Sequence, residues 1–312
     1  MNNDSYILTA NKITKNVPEG MYLNPLMEGA DPFILTHDGK YYLYATNAND
    51  GYKVFVSDNL AEWTDMGYCL KNTDVMGDKW FWAPEILYRN NQFYMVYSSE
   101  EHLGVAISKS PLGPFVQEEK KWLINDLAID GHFFVDEDGQ VYLYYVKLDG
   151  TNQIYVSKMN DDLLSLQQET ETFLIKAEAE WETIDCLVTE GPFVLKHNGK
   201  YFLTYSANHT RNENYAVGYA VSDSPFGPFV KYEKNPILHK TSEVHGTGHH
   251  SFTLSLDKKD LICVYHRHCS TEVFQPRLVC VDRAGFEKNE AGQDILVVYG
   301  PTNSPQKHFG LK

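Results

Sequence analysis

The stretch EGPFVLKHNGKYFLTY (190–205) decides the fold: a carboxylate opens it, apolar and polar residues alternate to Lys196, Asn198–Gly199 makes a two-residue turn, and alternation resumes to Tyr205. Alternation with a period of two, rich in Val, Phe and Tyr and interrupted by Asn-Gly, is a β-hairpin pattern. The chain repeats it four more times, as DPFILTHDGKYYLY (31–44), APEILYRNNQFYMVY (83–97), DGHFFVDEDGQVYLY (130–144) and HHSFTLSLDKKDLICVY (249–265). Counted between the turn residues Gly39, Asn91, Gly139, Gly199 and Lys258, the period is about 48 to 60 residues, in the range of propeller blades. Segments 56–65, 106–116, 156–162 and 220–230 echo one another behind four of the hairpins and read as outer strands of successive blades. Helical periodicity is nearly absent. The expected fold is all-β, a five-bladed β-propeller forming a single domain over 1–312, with inner strands starting near 31, 83, 130, 190 and 249. Residues 295–299 read as a last strand that returns to close the ring against an early blade.

A propeller aims the start of each inner strand at one central channel, so Asp31, Asp130 and Glu190 are expected to meet there. Asp130 and Glu190 each stand nine residues before a turn Gly, and Asp31 stands eight before its own. Each acid alone reads equally well as a turn cap beside Pro or Gly, but three at matched positions point to a shared pocket. Asp38, Asp58, Asp136 and Asp138 read as turn residues, and the direction of Glu85 beside Pro84 is open. Three converging carboxylates suit either a metal site or acid–base catalysis, and spacing does not choose. Glycoside hydrolysis would use all three: a protonated acid, an ionised partner acting on water or on the anomeric carbon, and a third carboxylate that raises and orients the acid.

Composition narrows the alternatives. A formal net charge of −15 argues against nucleic acid, which is bound through clustered Lys and Arg. No apolar stretch approaches membrane-spanning length, and residues 1–16 lack the features of a signal peptide, so no membrane partner and a cytoplasmic setting are expected. The five Cys have no metal-like spacing and read as reduced, mostly core residues. The 21 Tyr and five Trp are explained mainly by packing between blades. Trp80, Phe81 and Trp82 are the exception, crowding the approach to the second inner strand, where an indole face could stack on a sugar.

Five short motifs in order carry a family resemblance: Ala30-Asp31-Pro32, Trp82-Ala83-Pro84-Glu85, Ile129-Asp130-Gly131, Glu190-Gly191-Pro192 and Gly246-Thr247-Gly248-His249. Together they resemble glycoside hydrolase family 43, five-bladed propeller enzymes acting on arabinose- and xylose-containing glycans. The resemblance implies Asp31 as general base, Glu190 as general acid, Asp130 as the residue that tunes and orients the acid, and single-displacement hydrolysis with inversion. Inversion in turn requires the Asp31 and Glu190 carboxyls to lie about 6.5 to 9.5 Å apart, leaving room for water. It further places Trp82, Phe33, His249 and Arg277 around the substrate, His249 also being the candidate ligand of a structural calcium or sodium ion in the central channel. No cofactor is required for the chemistry. The His266-Arg267-His268 run lacks zinc-ligand spacing. The expected substrate is an arabinose- or xylose-containing oligosaccharide and the expected activity exo-acting release of L-arabinofuranose, because no sugar-capping second domain follows the propeller. β-D-Xylosidase, endo-1,5-α-L-arabinanase and a non-catalytic carbohydrate-binding propeller are the rivals; the oligomeric state is left open.

Overall fold

The computed structural model describes residues 17–310 and shows a ring of five β-sheets. Blade 1 is formed by Ala30–His37, Lys40–Thr46, Gly51–Ser57 and Thr64–Lys71, each strand antiparallel to the next. Blade 3 (Ala128–Val135, Val141–Asp149, Thr151–Met159, Leu166–Ile175) and blade 4 (Thr189–His197, Lys200–Ala207, Ala216–Ser222, Val230–Lys231) repeat the order. Blade 2 has three strands, Trp82–Arg89, Gln92–Ser99 and His102–Ser108, with a single bridge from Ile107 to Val116 in place of a fourth. The inner strands thus begin where the alternating pattern predicts. The hairpins close as expected of Asp-Gly, Asn-Asn and Asn-Gly turns: Asp38–Gly39, Asn90–Asn91 and Asn198–Gly199 all have positive φ, the backbone that matches strand twist in two-residue loops.

Two expectations are corrected. Residues 295–299 do not reach an early blade; Asp294–Val298 folds back on Leu278–Lys288 within blade 5. The ring is closed from the other end, where Met27–Glu28 adds to the blade 5 strands Gly248–Leu254, Leu261–Arg267 and Leu278–Lys288 through the pairs Met27–Val279 and Glu28–Leu278. Asn24 reinforces the closure by donating to the Val281 carbonyl at 2.9 Å. The echoing segments 56–65, 106–116, 156–162 and 220–230 are not outer strands either. Each spans the end of a third strand and the turn beyond it.

The Tyr content is accounted for by packing. Tyr97, Tyr145, Tyr205 and Tyr265 occupy one equivalent position on four second strands and are fully buried. Each hydroxyl is satisfied at the blade's outer side, by the Met76 carbonyl, Glu171, Glu182 and Asp282 respectively, as buried phenols require. Among the described residues the five Cys form no disulfide, and Cys69, Cys263 and Cys280 are buried. Among the described residues no helix is long and apolar enough to cross a membrane.

Candidate active site

Every inner strand breaks register near its start, between Ala30 and Phe33, Trp82 and Glu85, Ile129 and His132, Glu190 and Phe193, and Gly248 and Ser251. Each break holds one residue in the left-handed region: Asp31 (φ 51°), Ala83 (44°), Asp130 (57°), Gly191 (55°) and His249 (45°). Bulges re-aim side chains, and here they turn five equivalent positions toward the axis. A side chain at the end of the preceding blade's second strand staples four of the five backbone N–H groups. Ala83 donates to Thr46 Oγ1 (3.0 Å), Asp130 to Ser98 Oγ (3.0 Å), His249 to Ser206 Oγ (2.8 Å) and Asp31 to His266 Nδ1 (3.1 Å). In blade 3 the same position is Val146, which cannot accept. The Gly191 N–H goes instead to Asp130 Oδ2 at 3.0 Å.

This geometry corrects the matched spacing of the acids. Asp31 and Asp130 share the bulge position, whereas Glu190 stands one residue earlier, paired with Ser206, and Gly191 takes the bulge. A side chain on Gly191 would have to adopt its φ of 55° and bring a Cβ within 3.4 Å of the His249 ring. The three carboxylates are nonetheless brought together: Asp130 accepts from the residue after Glu190, and His249 Nδ1 lies 3.4 Å from Asp31 Oδ1 and 4.0 Å from Asp130 Oδ2.

The surroundings of Asp31 favour charge. Arg277 Nη1 donates to Oδ1 at 2.7 Å and Thr46 Oγ1 to Oδ2 at 2.7 Å. Burial opposes ionisation, but the Arg277 guanidinium beside it holds the carboxyl well below its ordinary range. His266 accepts the Asp31 N–H through Nδ1, so its proton is on Nε2, facing Thr210 Oγ1 at 3.3 Å; burial and Arg277 push it down to about 3 and keep it neutral. Burial likewise lowers His249.

Glu190 meets only neutral donors, Tyr215 Oη at 2.8 Å and Asn152 Nδ2 at 3.2 Å. Tyr215 reaches it because Gly248 leaves room: a Cβ there would stand 2.3 Å from the Tyr215 ring. Burial, followed by the charge of Asp31 and against the Tyr215 hydrogen bond, lifts Glu190 to about 7. Burial and the charges of Glu190 and Asp31 also raise Asp130. The elevation is therefore shared: Asp130 and Glu190 both favour the protonated form more than free carboxyls do.

The remaining predicted residues take distinct places. Trp82 opens the blade 2 inner strand and stacks on Trp80, centroids 6.0 Å apart and 11° from parallel, with Trp80 half exposed. Phe81 is buried in the core. Arg277 pairs with Asp31 and lies 5.8 Å from the Phe274 ring. Phe33 packs against two core clusters and lines an axial cavity of about 30 Å³, together with Pro84, Glu85, Pro192 and His250, room for a water or two. Glu85 points inward and accepts from His132 Nδ1 and the Phe133 N–H, both at 2.9 Å. His250 carries a bare nitrogen: Thr204 Oγ1 donates to the Phe193 carbonyl and so accepts from His250 Nε2, leaving buried Nδ1 without a partner. Among the described residues no group of three or more His, Cys, Asp or Glu could hold a metal ion.

Sequence reasoning missed Thr46, Asn152, Tyr215 and His266. The signal for Thr46 and His266 is positional: with Ser98 and Ser206 they are the polar residues facing the pre-bulge position of their own blade's inner strand.

A five-bladed propeller that gathers three carboxylates of opposed proton affinity is a glycoside hydrolase scaffold, and the comparisons give the family. The chain belongs to glycosyl hydrolases family 43, whose profile matches residues 22–290. A solved structure described as endo-1,4-beta-xylanase from Bacteroides thetaiotaomicron is 41% identical with a TM-score of 0.83, covering 93% of this chain and 98% of that one. The Beta-D-galactofuranosidase xynD of Aspergillus niger is 28% identical, over 91% of this chain and 86% of its own. An extracellular exo-alpha-(1->5)-L-arabinofuranosidase of Streptomyces avermitilis is 27% identical over 80% of this chain and 56% of its own.

Proposed function

We propose that this glycoside hydrolase is an exo-acting α-L-arabinofuranosidase that releases L-arabinofuranose from arabinose-containing oligosaccharides with inversion. The observation that carries the reaction is the opposite poise of its site carboxyls. Asp31, ionised beside Arg277, takes a proton from the attacking water. Glu190, lifted to about 7, gives a proton to the leaving oxygen, while Asp130, through the Gly191 N–H, fixes the backbone that carries the acid. Proton donation and acceptance by two separate groups is what single-displacement hydrolysis requires. The chemistry passes through no metal. An ion in the axial cavity would meet His250 Nδ1, which no protein group satisfies, on a wall that also carries Asp31, Glu85, Asp130 and His249.

Two relatives named for furanosidases support a furanoside. A β-D-xyloside is the second reading, favoured by the 41% identity to a protein named for xylan cleavage. Release of p-nitrophenol from the α-L-arabinofuranoside and the β-D-xyloside by wild type and Asp31→Ala tests both. The expected result is dominant arabinofuranoside turnover, reduced about 10²- to 10⁴-fold in the variant. Dominant xyloside turnover replaces the sugar and leaves the mechanism; full activity of Asp31→Ala removes Asp31 as base.

A further inference from the structure

We propose that Thr46 is a positioning residue for Asp31, its hydroxyl fixing the plane of the carboxylate through Oδ2; this rests on Asp31 being the general base. Thr46 ends the second strand of blade 1 opposite Ala30. Its Oγ1 accepts the Ala83 N–H at 3.0 Å, which orients the hydroxyl rotor and directs its single proton to Asp31 Oδ2 at 2.7 Å. The two oxygens of Asp31 are thereby claimed by different donors, Oδ1 by Arg277 and Oδ2 by Thr46. Arg277 alone would leave the carboxylate free to turn about its Cβ–Cγ bond; a donor on each oxygen sets one orientation, which proton transfer from a bound water depends on.

The five equivalent stapling positions isolate this role. Ser98 and Ser206 accept the N–H of the next blade's bulge as Thr46 does, and Val146 accepts nothing. Among the described residues Thr46 is the hydroxyl of the set that also donates to a site carboxylate. Its other partner, Ala83, follows Trp82 and sits at a φ of 44°, a conformation that persists in a residue with a Cβ only when its surroundings hold it. One β-branched side chain, stiff about χ1, therefore ties the base to the bulge that carries the indole wall.

The test is the pH dependence of kcat/KM on whichever p-nitrophenyl glycoside is turned over, for wild type, Thr46→Val, Thr46→Ser, Ser98→Ala and Asp31→Ala, with thermal unfolding to show that each folds. Losing a hydrogen bond to a charged group should lower kcat/KM of Thr46→Val by about 10- to 100-fold. Its acidic limb should move up by about one pH unit, because the ionised form of Asp31 loses a donor. Thr46→Ser keeps the donor and should restore both, and Ser98→Ala, which removes a staple without touching a carboxylate, should leave the acidic limb in place. If Thr46→Val does not fold, Thr46→Ala carries the same expectation. A folded Thr46→Val with the wild-type acidic limb and kcat/KM within about threefold overturns the proposal. Activity retained by Asp31→Ala overturns the base assignment beneath it, whereas an inactive Asp31→Ala with an unmoved Thr46→Val profile overturns Thr46 alone.

Discussion

Asp31 is a buried and Glu190 a partly buried carboxyl of one site, yet their surroundings drive them in opposite directions. Asp31 faces a guanidinium, a hydroxyl and two imidazoles; Glu190 faces a phenol and an amide, with Asp130 close by. Burial penalises charge in both. A cation within 2.7 Å reverses that penalty at Asp31, and neutral donors do not reverse it at Glu190. In the proposed mechanism, acid and base are thus set by the partner each carboxyl is given, not by depth in the fold.

The largest expected break in this comparison is at the acid. Glu190→Ala should cost about 10²- to 10⁴-fold in kcat/KM on arabino-oligosaccharides, whose leaving groups need a proton. On a 2,4-dinitrophenyl glycoside, whose leaving group needs little help, the cost should stay below about tenfold. Parallel assays on both substrates check this, and equal losses would show that Glu190 is not the donor. A smaller change sharpens the same comparison. Tyr215 donates to the ionised form of Glu190, so Tyr215→Phe should raise the carboxyl further and move the basic limb of kcat/KM upward by about one pH unit. Activity below pH 7 should change by less than about threefold. A limb that stays or moves downward would detach Tyr215 from the acid.

The sequence made the blades and the three acids legible because period-two alternation and Asn-Gly turns are local signals. Register was less legible. Counting back from the turn Gly places Asp130 and Glu190 together, but blade 3 turns through a longer loop in which Asp136 N–H reaches the Gln140 carbonyl. That loop adds one residue to the count. Glu190 precedes a two-residue turn like that of blade 1, so its true counterpart is Ala30, and Gly191 corresponds to Asp31. Ring closure escaped for a different reason: Met27–Glu28 is only two residues long and carries no periodicity. Thr46, Tyr215 and His266 matter through contacts with residues 15, 25 and 235 positions away, which no local pattern encodes. The alternation of His249 and His250 was legible, but that His250 keeps a bare buried nitrogen depends on Thr204 in the neighbouring blade.

The measurement that tests the account most directly is a ¹³C NMR titration of the protein labelled at its side-chain carboxyls, with Asp31→Asn and Glu190→Gln to assign the two resonances. The account predicts that the Asp31 signal remains that of a carboxylate to well below the ordinary Asp range, while Glu190 titrates near 7. Both signals titrating together in the ordinary carboxylate range would contradict it.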